Sequence, residues 1–263
     1  MIDARINDEL RQKYNPDGSD LRNHQLELLR ILDFFDAFCK QNGIRYWLSS
    51  GTCLGAVRHG GFIPWDDDID VEMLRDDYLR FVELFKENED FVLQTYDNDL
   101  FYTEPFPKLR YKRSTISEGE FDEKYTHHGI FIDIFIMEPV PLVPAVICHF
   151  FYGTMRHFSF KIKKSNKLLV LAYKIWKCFN GWLVKFNRLL FGFINKDTLR
   201  HTYGVGLVKK VRKRDEIFPM ESQEFEGKVF PVPGNYDMYL KRIYGDYMRI
   251  PETTHTHHII DNK

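Results

Sequence analysis

Apolar residues recur every three or four positions over residues 20–41, at Leu21, Leu28, Leu32, Phe35 and Phe38/Cys39. That spacing is one face of an amphipathic helix, with Ser19 or Asp20 to cap it and Gly43 to end it. Residues 44–48 form a short β-prone run that Ser49, Ser50 and Gly51 break. Residues 52–58 then read as one or two helical turns before a Gly60-Gly61 turn. Over 69–74 the period drops to two, apolar residues alternating with acidic ones, which predicts a strand with one chemically active face. A helix over 76–88 directs Tyr78, Phe81, Val82 and Phe85 inward. Strands are predicted over 91–96, 106–111 and 129–137. The last puts Ile130, Ile132, Ile134 and Ile136 on one side and Phe131, Asp133, Phe135 and Met137 on the other. A helix over 197–212, an extended piece over 225–232 and a helix over 236–244 complete the reading. The fold class is α+β, a mixed sheet flanked by helices rather than regular βαβ alternation.

Composition narrows the classes. With 44% hydrophobic and 29% charged residues among 263, the chain is globular rather than disordered or fibrous. A net charge of −1 excludes a general nucleic-acid coat, and no nucleic-acid partner is expected. The four cysteines, at 39, 53, 148 and 178, have neither the number nor the spacing of a disulfide scaffold or a zinc site. The polar N-terminus lacks the apolar core of a secretory leader, and no apolar run reaches the ~18 residues of a spanning helix. A cytoplasmic protein is expected.

The overall charge hides an asymmetry. Residues 139–196 hold ten basic residues and no Asp or Glu, whereas the rest of the chain holds 27 basic against 38 acidic residues. The same stretch carries twelve aromatic residues. Charge and aromatic content change together, so the chain divides into a catalytic core (1–138), a basic, aromatic-rich helical insertion (139–196) and a C-terminal part that completes the core (197–263). Leu168, Leu171, Ile175, Phe179, Trp182 and Phe186 recur at helical spacing with Lys167, Lys174 and Lys185 among them. A helix of that kind can lie in the headgroup layer of an anionic membrane. Peripheral contact with the inner face of the cell membrane is therefore expected.

The densest chemical signal is Pro64-Trp65-Asp66-Asp67-Asp68-Ile69-Asp70. Carboxylates this close repel, and a divalent cation is the usual remedy. On a strand Asp68 and Asp70 point to the same side and suit Mg²⁺ (or Mn²⁺) shared with substrate phosphate. Asp133 sits mid-strand in an apolar run, where a lone charge is costly; beside the first strand it completes a three-carboxylate site. An EF-hand is excluded, lacking Gly at the sixth position and Glu at the twelfth. Ser50-Gly51-Thr52, at a strand-to-helix turn, suits donor phosphate, because backbone N–H groups stand free at a helix start. Lys108 and Arg110, with Lys112, alternate along one strand and suit an anionic substrate. Arg58 is placed with Lys108 and Arg110 as a substrate-binding cation. His255, His257 and His258, close to the chain end, read as solvated side chains.

These residues resemble the LicD/fukutin-like family of phosphotransferases. The resemblance is carried by S-S-G-T-C-L-G-A-V-R-H-G-G-F-I-P-W-D-D-D-I-D over 49–70, G-I-F-I-D-I-F over 129–135 and Y-D-M-Y-L-K-R-I-Y-G-D-Y-M over 236–248. It implies a nucleotidyltransferase-like fold of the polymerase-β type, with Asp68 and Asp70 as metal-binding pair and Asp133 as third carboxylate. It further implies a CDP-alcohol donor, CDP-choline above all, and a glycan or lipid-linked glycan acceptor. The sequence departs from the wider superfamily in having Ser50-Gly51-Thr52 where Gly-Gly or Gly-Ser is usual. Three alternatives compete with this reading. A GT-A-like, metal-dependent glycosyltransferase using a sugar nucleotide requires a larger parallel domain ahead of its Asp-x-Asp. An isoprenoid synthase fits Asp66-Asp67-x-x-Asp70 but requires an all-α fold. Against a non-catalytic scaffold, all three candidate carboxylates are present.

Overall fold

The computed structural model describes residues 1–119, 123–192, 194, 197–206 and 210–251. His255, His257 and His258 lie outside them. The chain opens with α1 (Ala4–Tyr14) and α2 (Asp20–Asn42), followed by β1 (Trp47–Leu48), α3 (Ser50–His59), β2 (Asp70–Leu74), α4 (Arg75–Leu84), β3 (Phe91–Gln94), β4 (Lys108–Tyr111) and β5 (Phe131–Glu138). Two long helices, α5 (Leu142–Lys161) and α6 (Lys167–Phe191), precede β6 (Thr198–His201), β7 (Arg212–Lys213), α7 (Arg214–Ile217), the hairpin β8 (Glu221–Phe225) and β9 (Lys228–Val232), and α8 (Tyr236–Tyr244).

The main sheet runs β1-β2-β5-β4-β3, with β6 and then β7 added beyond β5. Among the described residues only β2 and β5 pair in parallel; the other pairs of this sheet are antiparallel. β5 is the axis of the sheet. One edge pairs with β2 from Asp133 to Met137, and the other takes β4 near its start and β6 at its end. Alternation decides what each face does. Val71, Met73, Ile132 and Ile134 face α2, whose Leu28, Ile31, Leu32 and Phe35 are at most 1% exposed. The opposite face carries Asp70, Glu72 and Leu74 on β2 beside Asp133, Phe135 and Met137 on β5. The sheet therefore separates an apolar side from a chemical side.

Local signals in α2 hold closely. Ser19 Oγ accepts from Arg22 N, and Gly43 ends the helix at φ 62°, where a β-carbon would be strained. Three expectations are corrected, and one helix is added. Residues 197–212 are not a helix: Leu199 and His201 turn inward and Thr198 and Arg200 outward, the period of a strand, and β6 pairs with the end of β5. The helix expected over 76–88 ends at Leu84, and Val82 is exposed rather than inward. β1 is only two residues long. An additional helix, α1, buries no side chain, so no apolar stripe announced it; Asn7 at His59 and Arg11 at Glu226 hold it. A mixed sheet whose acidic run leads into a strand is incompatible with the all-α isoprenoid synthase.

Candidate active site

The acidic run enters β2 under tight control from α2. His24 Nε2 bonds the Asp67 carbonyl at 2.8 Å and Gln25 Nε2 donates to the Asp66 carbonyl at 2.8 Å. Both are buried, so the loop's backbone is fixed before its carboxylates meet anything. Thr52 Oγ1 accepts from Asp70 N at 2.8 Å, tying the start of β2 to the first turn of α3. Asp70 lies beside Asp133 in the parallel register, and Asp133 N donates to Ile69 O at 2.9 Å. Asp70 and Asp133 thus share one end of the sheet's chemical side; Asp68, expected on the strand with Asp70, lies instead in the loop just before β2, within the field of Asp70.

Asp66 joins them, and sequence reasoning did not single it out. A β-carbon on Gly51 would stand 2.9 Å from Asp66 Oδ2, so the carboxylate reaches the N-terminus of α3 only because residue 51 is glycine. Burial pushes Asp66 well above the ordinary carboxylate range, with Asp68, which shares a hydrogen bond with it, and Asp67 adding to the rise. Burial likewise raises Asp70, followed by the negative fields of Asp68, Asp133 and Asp66. Tyr244, on α8, is also within the field of Asp70, Asp66 and Asp68. The advance signal for Asp66 was its place in the acidic run, and for Tyr244 its place in the motif over 236–248. Gly51→Ala is expected to displace the Asp66 carboxylate and reduce kcat/KM while changing stability by less than about 1 kcal/mol. Steady-state kinetics with a parallel melt checks it, and an unchanged kcat/KM would remove Asp66 from the site.

Ser50 begins α3 in the left-handed region at φ 44°, which is rare for a residue with a β-carbon. Its backbone N donates to Tyr239 Oη at 3.3 Å. Tyr239 in turn donates to Glu72 Oε2 at 3.1 Å, and Trp47 Nε1 donates to the same oxygen at 2.8 Å. His201 Nε2 and Arg212 Nη2 meet Glu72 Oε1 at 3.1 and 3.2 Å. Burial alone would raise Glu72, but Arg212, His201 and Trp47 override it and hold the carboxyl at about 2. This buried network joins β1, β2, β6, β7 and α8 beneath the turn. It was missed because its members are scattered over residues 47–239.

The basic residues divide. Lys108 stands opposite Asp133 in the antiparallel register, with Nζ 3.3 Å from Asp133 Oδ1 and 2.8 Å from Glu118 Oε2. Arg110 is fully buried and committed to Gln94, the Gly129 carbonyl and Glu118. Lys112 lies past the end of β4 and pairs with Glu87 at 2.8 Å. Arg58 is 3% exposed and donates to the carbonyls of Tyr247 and Arg249, so it fixes the chain after α8. Of the four, Lys108 alone pairs with one of the acidic residues of the site.

An all-oxygen cluster of mutually repelling carboxylates suits a hard divalent cation. Among the described residues, no group of three or more His, Cys, Asp or Glu side chains is placed to hold a metal ion. Mg²⁺ is commonly bound by one or two carboxylates together with substrate phosphate and water.

The family described as LicD/FKTN/FKRP, nucleotidyltransferase domain, matches residues 43–161. The chain is 36% identical over 262 residues to the lipopolysaccharide cholinephosphotransferase LicD of Haemophilus influenzae, covering 91% of this chain and 96% of that protein. Shorter likenesses join it to human ribitol 5-phosphate transferase FKRP, 54% identical over 35 residues, 13% of this chain and 7% of the relative. Mouse ribitol-5-phosphate transferase FKTN is 49% identical over 39 residues, 15% of this chain and 8% of the relative. Similarity along almost the whole length of one relative, carried by a chain that sets Asp70 and Asp133 at one end of its sheet, shows that it belongs to the LicD/FKTN/FKRP family.

Proposed function

We propose that this protein is a phosphotransferase that moves a phospho-alcohol group, phosphocholine from CDP-choline, onto a hydroxyl of a cell-surface glycan or its lipid-linked precursor. The observation that carries the reading is the placement of Asp70 beside Asp133 on parallel strands, at the N-terminus of α3, in a chain resembling a cholinephosphotransferase throughout. The sheet is read as a nucleotidyltransferase-type fold, with the protein working at the inner face of the cell membrane.

Asp68, Asp70 and Asp133 are the residues that would hold Mg²⁺ (or Mn²⁺), which supplies neutralisation of the negative charge on donor phosphate. The first turn of α3, at Ser50, Gly51 and Thr52, offers backbone N–H groups to that phosphate. The acceptor hydroxyl oxygen attacks the β-phosphorus; the bond from that phosphorus to the bridging oxygen breaks, and CMP departs with the electron pair. Asp133 takes the hydroxyl proton, with Lys108 at 3.3 Å holding its carboxylate in place. Lys108 also offers a positive charge to the substrate. The test is transfer itself: purified protein with CDP-choline, Mg²⁺ and a glycan acceptor should release CMP and choline-labelled glycan in equal amounts. CDP-ribitol or a sugar nucleotide supporting faster transfer would overturn the donor assignment. No CMP release with any CDP-alcohol would overturn the reaction.

A further inference from the structure

α6 is folded inside out. Its buried stripe is Tyr173, Lys177, Asn180, Val184 and Asn187, at spacings of four and three. Three of these five side chains are strongly polar. Lys177 Nζ donates to the carbonyls of Asp99, Leu100 and Tyr102 at 2.7, 2.9 and 3.2 Å, and burial lowers it to about 8. Asn180 and Asn187 donate to carbonyls one turn back in their own helix. At one end Arg188 grips Glu138 through two 2.8 Å bonds. Half a turn away, at spacings of four, three, four and three, Ile175, Phe179, Trp182, Phe186 and Leu189 face outward. Trp182 is 57% exposed and Leu189 76%, whereas Asn180 is 1% exposed. Phe179, Trp182 and Phe186 stack at centroid distances of 6.3 and 5.2 Å, so the apolar face is already ordered. α5 adds Val143, Val146 and Phe150 to the exposed apolar surface. A continuous apolar face of this size marks an interaction surface.

Charge decides what covers it. Lys167, Lys174 and Lys185 are exposed along one flank of the apolar stripe, at spacings of seven and eleven. Lys161, Lys163 and Lys164 lie at the connection to α5, and no acid occurs anywhere in 139–196. A second copy of this chain would set like charges against like, and a protein groove for such a face would have to be acidic and apolar together. An anionic bilayer offers both properties in one surface: phosphate for the lysines and acyl chains for the aromatic ladder. Among the described residues no helix is long and apolar enough to cross a membrane.

We infer that the outward face of α5 and α6 is a docking surface for an anionic lipid bilayer, with Phe179, Trp182 and Phe186 entering the acyl boundary and Lys167, Lys174 and Lys185 meeting headgroup phosphate. This gives the peripheral location its contact surface and rests on the proposed function only for the purpose of docking. The test needs neither donor nor turnover. Full-length protein is mixed with vesicles of phosphatidylcholine alone or with phosphatidylglycerol added, and bound fraction and tryptophan emission are read. Wild type should bind the anionic vesicles at low salt, leave them as salt rises, and have its emission quenched by brominated acyl chains. Trp182→Phe should lose most of that quenching while still binding. Charge reversal at Lys167, Lys174 and Lys185 to Glu should cut partition by at least about fivefold per site. Phe179→Ser, Trp182→Ser and Phe186→Ser together should abolish binding with the melting temperature unchanged; each Ser substituted alone serves where the triple variant does not fold. Equal binding to both vesicle types, no binding at low salt, or serine variants that bind like wild type would overturn the inference. So would a wild-type dimer that the serine variants dissociate.

Discussion

Asp70→Asn is expected to lose turnover by on the order of 10²–10³ while the metal-free protein melts higher than wild type. The two effects share a cause. Asp70 is half-buried beside Asp68, Asp133 and Asp66, and desolvation and their negative fields push its carboxyl well above the ordinary range. The folded state therefore binds this proton more readily than the unfolded chain does. Its contribution to stability is greatest at low pH and declines as pH rises from the ordinary carboxyl value through the raised one. Above the ordinary carboxyl value the penalty grows with pH, and Asn removes it. The same substitution removes charge from the point where a divalent cation and donor phosphate would meet. Mg²⁺ should raise the melting temperature of wild type and leave Asp70→Asn unmoved. Asp68→Asn should behave alike in turnover. Retention of more than roughly a tenth of activity, a loss under ~1.4 kcal/mol, would remove either residue from the reaction.

The second large effect concerns folding. Arg212→Leu leaves Glu72, which is 0% exposed, without the cation that holds its charge in the interior. Breaking one side of such a pair costs about 3–5 kcal/mol, roughly 6–20 °C in Tm for a chain of this size. Glu72 is depressed to about 2, so its contribution is complete above the unfolded carboxyl value of 4.5 and is lost as pH falls from there towards 2. In Arg212→Leu burial would no longer be opposed by Arg212, and that acid-side loss should shrink or reverse. Glu72→Gln combined with Arg212→Leu should regain part of the stability, because neither charge is then stranded. The network also supports Ser50 through Tyr239, so activity should fall more than the melt alone explains. A loss below about 1 kcal/mol for Arg212→Leu, inside the ordinary range of surface substitutions, would contradict the account.

The features legible before folding were local or short in range. The 3.6 period and both caps of α2, the switch to period two at β2, and α8 from Tyr236 to Tyr244 rest on neighbouring residues alone. The acidic run and the glycine turn were legible for the same reason: their chemistry is packed into 49–70. Residues 198–201 were misread because their alternation is brief and β6 exists by pairing with the free edge of β5. Arg110 and Arg58 looked like ligands for anions, since sequence shows a charge but not its partner; packing supplied Glu118 to one and the carbonyls of Tyr247 and Arg249 to the other. Glu72, Tyr239, His201 and Arg212 could be assembled only by the fold, being separated by up to 167 residues along the chain. α6 shows both sides of the division. Its apolar stripe was plain in the sequence, but helical periodicity is identical for a face turned inward and one turned outward. Burial of Lys177, Asn180 and Asn187 on carbonyls of the protein left the apolar side facing out.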